Sequence, residues 1–131
     1  MSQENVEVVR NAFMEFERGN FWLPELFDPN VRIAGMRHAA GESEVGGLGS
    51  MSTAMKDWFE SWEQSTLAAE QVLDAGDQVV VIATWRGRGK ASGVMTEQRP
   101  GQVWTLRDGK VTRAVAYTDP AEALQAAGLS E

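Results

Sequence analysis

An α+β fold is predicted for this chain: helices packed on a curved antiparallel sheet, closed by a short terminal helix. Three observations predict it. Apolar residues recur at helical spacing through the first half. After Ser65 the pattern changes to β-branched runs separated by turn residues. The chain then passes from a strand at Tyr117 into Asp119-Pro120-Ala121-Glu122, a capped helix start.

The elements follow in order. Val6, Val9, Phe13 and Phe16 form one apolar stripe, a first helix that Ser2 can cap and Gly19 ends. A short second helix is expected around Phe21–Phe27, with Pro24 near its start, and Asp28-Pro29-Asn30 reads as a turn. Val31–Gly35 is a short strand candidate, and residues 38–50, rich in Gly, Ala, Ser and Glu, read as a loop. Met51, Met55, Trp58, Phe59 and Trp62 make a second helical stripe, capped near Ser50 or Ser52.

Residues 66–75 and 78–88 are strands joined by the Gly76-Asp77 hairpin turn. Val79 to Trp85 is apolar on both faces, so both faces should be covered. Arg86–Gly93 reads as a basic, Gly-rich connection. Strands near 94–107 and 111–118 flank a second turn at Arg107–Lys110, and Pro100 should bend the longer one. In the terminal helix Pro120 takes the first position, where its missing N–H costs nothing. Gly128 stops that helix and Leu129 folds back onto it.

Composition bounds the function. The 131 residues suit a single domain, 1–131, with one core. With no cysteine there is no disulfide, thiolate metal site or cysteine nucleophile. No apolar run approaches the ~20 residues of a membrane span, so a soluble cytoplasmic protein is expected. The net charge of −7 argues against nucleic acid as a partner, which needs a basic footprint. The acids concentrate in residues 1–70, as solvated helix faces would place them.

A bent sheet wrapped around helices encloses a cone, and an unfilled cone is an apolar pocket for small molecules. Three segments carry a family resemblance: Leu73-Asp74-Ala75-Gly76-Asp77-Gln78-Val79-Val80-Val81, then Val103–Val111, and Tyr117–Leu129. With the order helix–helix–strand–helix–four strands, they resemble the SnoaL-like, ketosteroid-isomerase-related branch of the nuclear transport factor 2-like superfamily. The resemblance covers nearly the whole chain and is weakest over residues 36–50. Its motifs are turns and a cap, specific for fold and nearly silent about chemistry. It implies a cone with a few polar groups inside, no cofactor, and a homodimer through the outer sheet face, where Trp85 or Val81 would pack. It also implies a choice among polyketide cyclase, isomerase, hydrolase and simple ligand-binding roles.

The isomerase pattern can be placed residue by residue. The base position falls near Ala34 or Gly35, the tyrosine near Ala12 and the acid near Gln102; supporting tyrosines fall near Phe27 and Phe59. None is ionisable, so steroid isomerisation by that mechanism is not expected.

His38, the one histidine, is the remaining candidate base, set against an exposed loop residue among Arg37, Ala39 and Gly41. One histidine builds no metal site. Asp119 is a second catalytic candidate, with helix capping as the stronger reading. Asp57 is expected to face solvent. Arg86, Arg88 and Lys90 read as a solvated strand end before an anion site, and Gly46-Gly47-Leu48-Gly49 as a weak anion signal. Ligand contact is expected from Phe16, Trp22, Met55, Phe59, Gln102, Trp104 and Tyr117, above all from Gln102 and Trp104, two apart on one strand face. Three readings stay open: a cofactor-independent enzyme acting on a small apolar carbonyl compound with His38 as base, a ligand-binding domain, and an assembly partner whose cone is filled by its own aromatics.

Overall fold

The computed structural model describes residues 2–34 and 45–129. Helix α1 spans Ser2–Glu17 and buries Val6, Val9, Phe13 and Phe16, the expected stripe. Gly19, at φ +83°, ends it in the left-handed region that glycine adopts without cost. The short second helix expected at Phe21–Phe27 does not form. One turn, held by the Leu26 and Phe27 amides donating to the Leu23 carbonyl, leads directly into strand β1, Phe27–Ala34. Phe21, Leu23 and Phe27 are buried in the core, so tertiary burial, not local helix formation, uses these apolar residues. Asp28-Pro29-Asn30 lies inside β1 as an irregularity. Its pairing slips between Phe27 and Arg32, and the Asn30 amide donates to the Asp28 carboxylate.

Strand β2 is the pair Val45–Gly46, and helix α2 spans Leu48–Glu60. Of the loop expected over 38–50, residues 38–44 lie outside the described residues, and 45–50 hold β2 and the start of α2. Gly47, at φ +93°, opens α2, and no side chain caps it, so Ser50 and Ser52 lie inside the helix. Trp62 is not helical; it begins strand β3, Trp62–Ala75. Strand β4, Gln78–Gly89, returns from the Gly76-Asp77 turn and carries Arg86 to Gly89 within the ladder, so the expected Arg86–Gly93 connection shortens. Strands β5 (Met95–Gln98) and β6 (Gly101–Arg107) both pair with β4, separated at Arg99-Pro100, where proline lacks a ladder donor. Asp108 and Gly109, both at positive φ, turn β6 into β7, Lys110–Tyr117. Helix α3, Pro120–Ala126, ends the described chain. The Leu129 amide donates to Leu124 at 2.7 Å past Gly128 at φ +78°.

The curved, unclosed sheet runs β2-β1-β7-β6-β4-β3, with β5 on β4. It is antiparallel except where β1 lies parallel to β7, so the sheet is mixed rather than wholly antiparallel. Strand β4 lies between β3 and β6 and is covered on both faces, as its composition requires. Val79, Val81 and Ala83 join α1, α2 and β1 in the main core. Val80 and Ile82 face the other way, into a smaller cluster closed by α3 through Ala123. Trp85 and Val81, expected to meet a second subunit, are buried within this chain. Val81 lies in the main core, and Trp85 packs against Trp58 and Trp62 at ring distances of 5.4 and 4.7 Å. Among the described residues no helix is long and apolar enough to cross a membrane.

Candidate functional site

The inner face of the sheet and the apolar sides of α1 and α2 line a cavity of about 50 Å³. Gln102 and Trp104 reach it from β6 because they pair with Val81 and Val79, whose side chains face the core. Trp104 stands among three phenylalanines, with ring centres 5.5 Å from Phe13, 6.4 Å from Phe16 and 5.7 Å from Phe27. Met51 and Met55 of α2, Leu67 of β3, Ile33 and Ala34 of β1 and Ala114 and Ala116 of β7 complete the walls. Among the described lining residues Gln102 is the one polar side chain that is not aromatic, and none is ionisable.

The Trp104 indole Nε1–H donates to Gln102 Oε1 at 2.8 Å. An unpaired indole donor in an apolar wall would cost about 1–3 kcal/mol, so the amide satisfies a need as well as lining the cavity.

A second, outer cleft of about 520 Å³ lies at the end of α1. Phe21, Phe59, Ser65 and Thr66 line it, with Glu17, Lys56 and Glu60 at its exposed rim. Phe16 and Leu67 border both spaces and separate them.

The expected site residues divide accordingly. Phe16, Met55, Gln102 and Trp104 meet at the inner cavity, and Phe59 borders the outer cleft. Of the isomerase positions, Ala34, Gln102 and Phe27 do converge there, without an ionisable group, while Ala12 is wholly buried on α1. Trp22 is not at either space. It is 55% exposed, because the chain turns outward between the buried Phe21 and Leu23. Tyr117 points to the opposite face of the sheet, where it packs beside α3, since it lies three residues beyond the inward Ala114. Asp119 takes the capping role that was its stronger reading. Its carboxylate accepts the Ala121 amide at 3.0 Å as the cap of α3, and the residue is exposed. Asp57 is exposed, as expected. Arg86 is held by Glu97 at 2.8 Å on the outer sheet face. His38 lies outside the described residues, as do its neighbours Arg37 and Gly41. Among the described residues no three His, Cys, Asp or Glu side chains gather as a metal site would need.

Phe13, Met51, Leu67 and the two alanines of β7 line the cavity without having been singled out for it. Phe13 and Met51 belong to the apolar stripes, which mark core without saying which core residues border empty space. The alanines leave room through their size, which no periodicity reports.

On the outer face, the Thr84 hydroxyl and then the Arg99 guanidinium donate to Glu70, and these bonds hold its carboxyl below the usual range.

A family model described as a SnoaL-like domain matches residues 9–114. An uncharacterised protein of Mycobacterium tuberculosis (strain H37Rv) is 30% identical over 126 residues, covering 89% of this chain and 91% of its own. A protein of Jannaschia sp. CCS1, provisionally named a SnoaL-like polyketide cyclase, superposes with a TM-score of 0.76 at 25% identity, covering 99% of this chain and 94% of that one. A Catenulispora acidiphila protein with a ketosteroid isomerase-like fold, solved with trimethylamine, superposes with a TM-score of 0.74 at 20% identity, covering 94% and 93%.

Proposed function

The chain belongs to the SnoaL-like domain family, and on that premise we propose that it binds a small, uncharged, mainly apolar molecule with one end in the inner cavity. The observation that carries this reading is the wall chemistry: aromatic, thioether and aliphatic side chains around a single amide. A charged group placed there would lose its hydration and meet no counter-ion among the described walls. The volume limits the guest. Sites for drug-sized ligands span roughly 300–1,000 Å³, whereas the inner cavity offers about 50 Å³. It accommodates a small ring or a short chain. A longer molecule reaching past Phe16 and Leu67 would enter the outer cleft.

Catalysis is the finer reading, and the Jannaschia protein's provisional name speaks for it. Acid–base chemistry in the cavity needs a proton acceptor. The described walls hold none, and His38, outside the described residues, is the base that the sequence offers. A His38→Ala variant that turns over an identified substrate at the wild-type rate removes it.

Binding itself is tested by NMR titration with methylenecyclopentane and cyclopentanone, two compact neutral probes. The expected result is saturable shifts of the Trp104 indole and of the Met51 and Met55 methyls, lost in Ala116→Leu, which fills the cavity. The reading fails if neither probe moves these signals, or if Ala116→Leu leaves the shifts unchanged.

A further inference from the structure

We infer that Gln102 selects for ligands carrying a hydrogen-bond acceptor, with a carbonyl or ether oxygen as the matching chemistry, and that Trp104 is the positioning residue that sets this polarity. The inference rests on the reading that the inner cavity holds the ligand.

An amide side chain has two chemically different ends, and which end faces a ligand decides what it recognises. An indole N–H is a donor with no acceptor capacity. The Gln102 atom 2.8 Å from Trp104 Nε1 is therefore the oxygen. Rotating the amide by half a turn would set two N–H groups against each other and leave the indole unpaired. Trp104 itself is held, since it is 4% exposed and wedged among Phe13, Phe16 and Phe27. Gln102 and Trp104 share a strand face two residues apart, so the bond is made within β6 and does not depend on ligand. With the oxygen engaged, Gln102 offers a ligand its two N–H donors, and no second partner for that amide occurs among the described residues. A neutral donor in an apolar wall favours a neutral acceptor. A hydrocarbon would leave the donor unpaired, and an ammonium group would oppose it.

The test compares cyclopentanone with methylenecyclopentane, its near-isostere in which a methylene replaces the carbonyl oxygen. Their affinity ratio is measured by NMR for wild type, Gln102→Met and Gln102→Glu. Methionine matches the size of glutamine and removes both ends of the amide. Glutamate keeps an acceptor for the Trp104 indole and, once ionised, has no donor; burial raises a carboxyl pKa, so its ratio is read at a pH where the side-chain carboxyl carbon shift reports the carboxylate. The ketone-to-alkene ratio should fall about tenfold in both variants, the worth of a typical net hydrogen bond. In wild type the ketone should shift the Gln102 side-chain amide protons, and the alkene should not. A ratio unchanged in both variants overturns the acceptor preference and leaves ligand binding standing. A ratio that falls in Gln102→Met alone overturns the assignment of the donors as the selective element. Absence of binding by both probes overturns the underlying reading and this inference with it.

Discussion

Gly101 of β6 lies directly beneath Ala123 of α3. A Cβ on Gly101 would stand 2.7 Å from the Ala123 Cβ and 2.8 Å from the Pro120 Cα. The absent side chain is what lets the terminal helix cover Val80, Ile82 and Val103 on the outer face of the sheet. Gly101→Ala forces apart atoms that cannot rotate away, at about 1–3 kcal/mol. The opposing gain, from a stiffer unfolded chain, is only about 0.4–1 kcal/mol. Net destabilisation is expected, seen as a lower urea midpoint; an unchanged or higher midpoint contradicts the packing.

Glu70 predicts a pH dependence. The Thr84 hydroxyl and the Arg99 guanidinium hold its carboxyl below its ordinary value of 4.5. A group whose folded-state pKa is depressed stabilises the fold above its unfolded value, and the benefit fades as pH falls through the folded one. Glu70→Gln should therefore melt below wild type at neutral pH, with the gap closing progressively beneath pH 4.5. Because Glu70 is exposed, the gap should be small and shrink with added salt. A gap that widens on acidification contradicts the assignment.

Phe16 predicts an effect on ligand size. It is buried, and it borders both the inner cavity and the outer cleft. Phe16→Ala should cost about 3–5 kcal/mol of stability, as core phenylalanine truncations do. It should also merge the two spaces. Naphthalene, too large for about 50 Å³, should bind the variant more tightly than wild type. Equal binding in a variant shown to be folded by its amide spectrum removes Phe16 as the partition.

Local signals were legible where one interaction decides the outcome. The Asp119 cap, the Gly76-Asp77 and Asp108-Gly109 turns and the stripe of α1 all formed where their spacing placed them. They involve neighbours in the chain, or one face against one core. Phe21–Phe27 misled because its apolar residues satisfy a helical pattern and a buried approach to β1 equally well. Trp62 misled in the same way, continuing the stripe of α2 while its backbone had already joined the ladder with Gly89.

At the candidate site, Gln102 and Trp104 were legible as a pair because a strand puts residues two apart on one face. That the indole bonds the amide oxygen, and thereby reserves the N–H donors, depends on rotamers chosen by Phe13, Phe16 and Phe27. Tyr117 turns to the α3 face because the alternation along β7 shifts at an irregularity opposite Thr105 and Leu106.

By itself the amino-acid order determined the class of fold, the caps and turns, the apolar faces and the want of the isomerase's ionisable groups at the placed positions. Those properties are local or compositional, and short-range energies suffice to set them. Only tertiary structure decided which core side chains border empty space, which face Tyr117 takes and which end of the Gln102 amide is left for a ligand. Cavities and amide orientations arise from the mutual fit of side chains far apart in the chain, and no pairwise spacing encodes that fit.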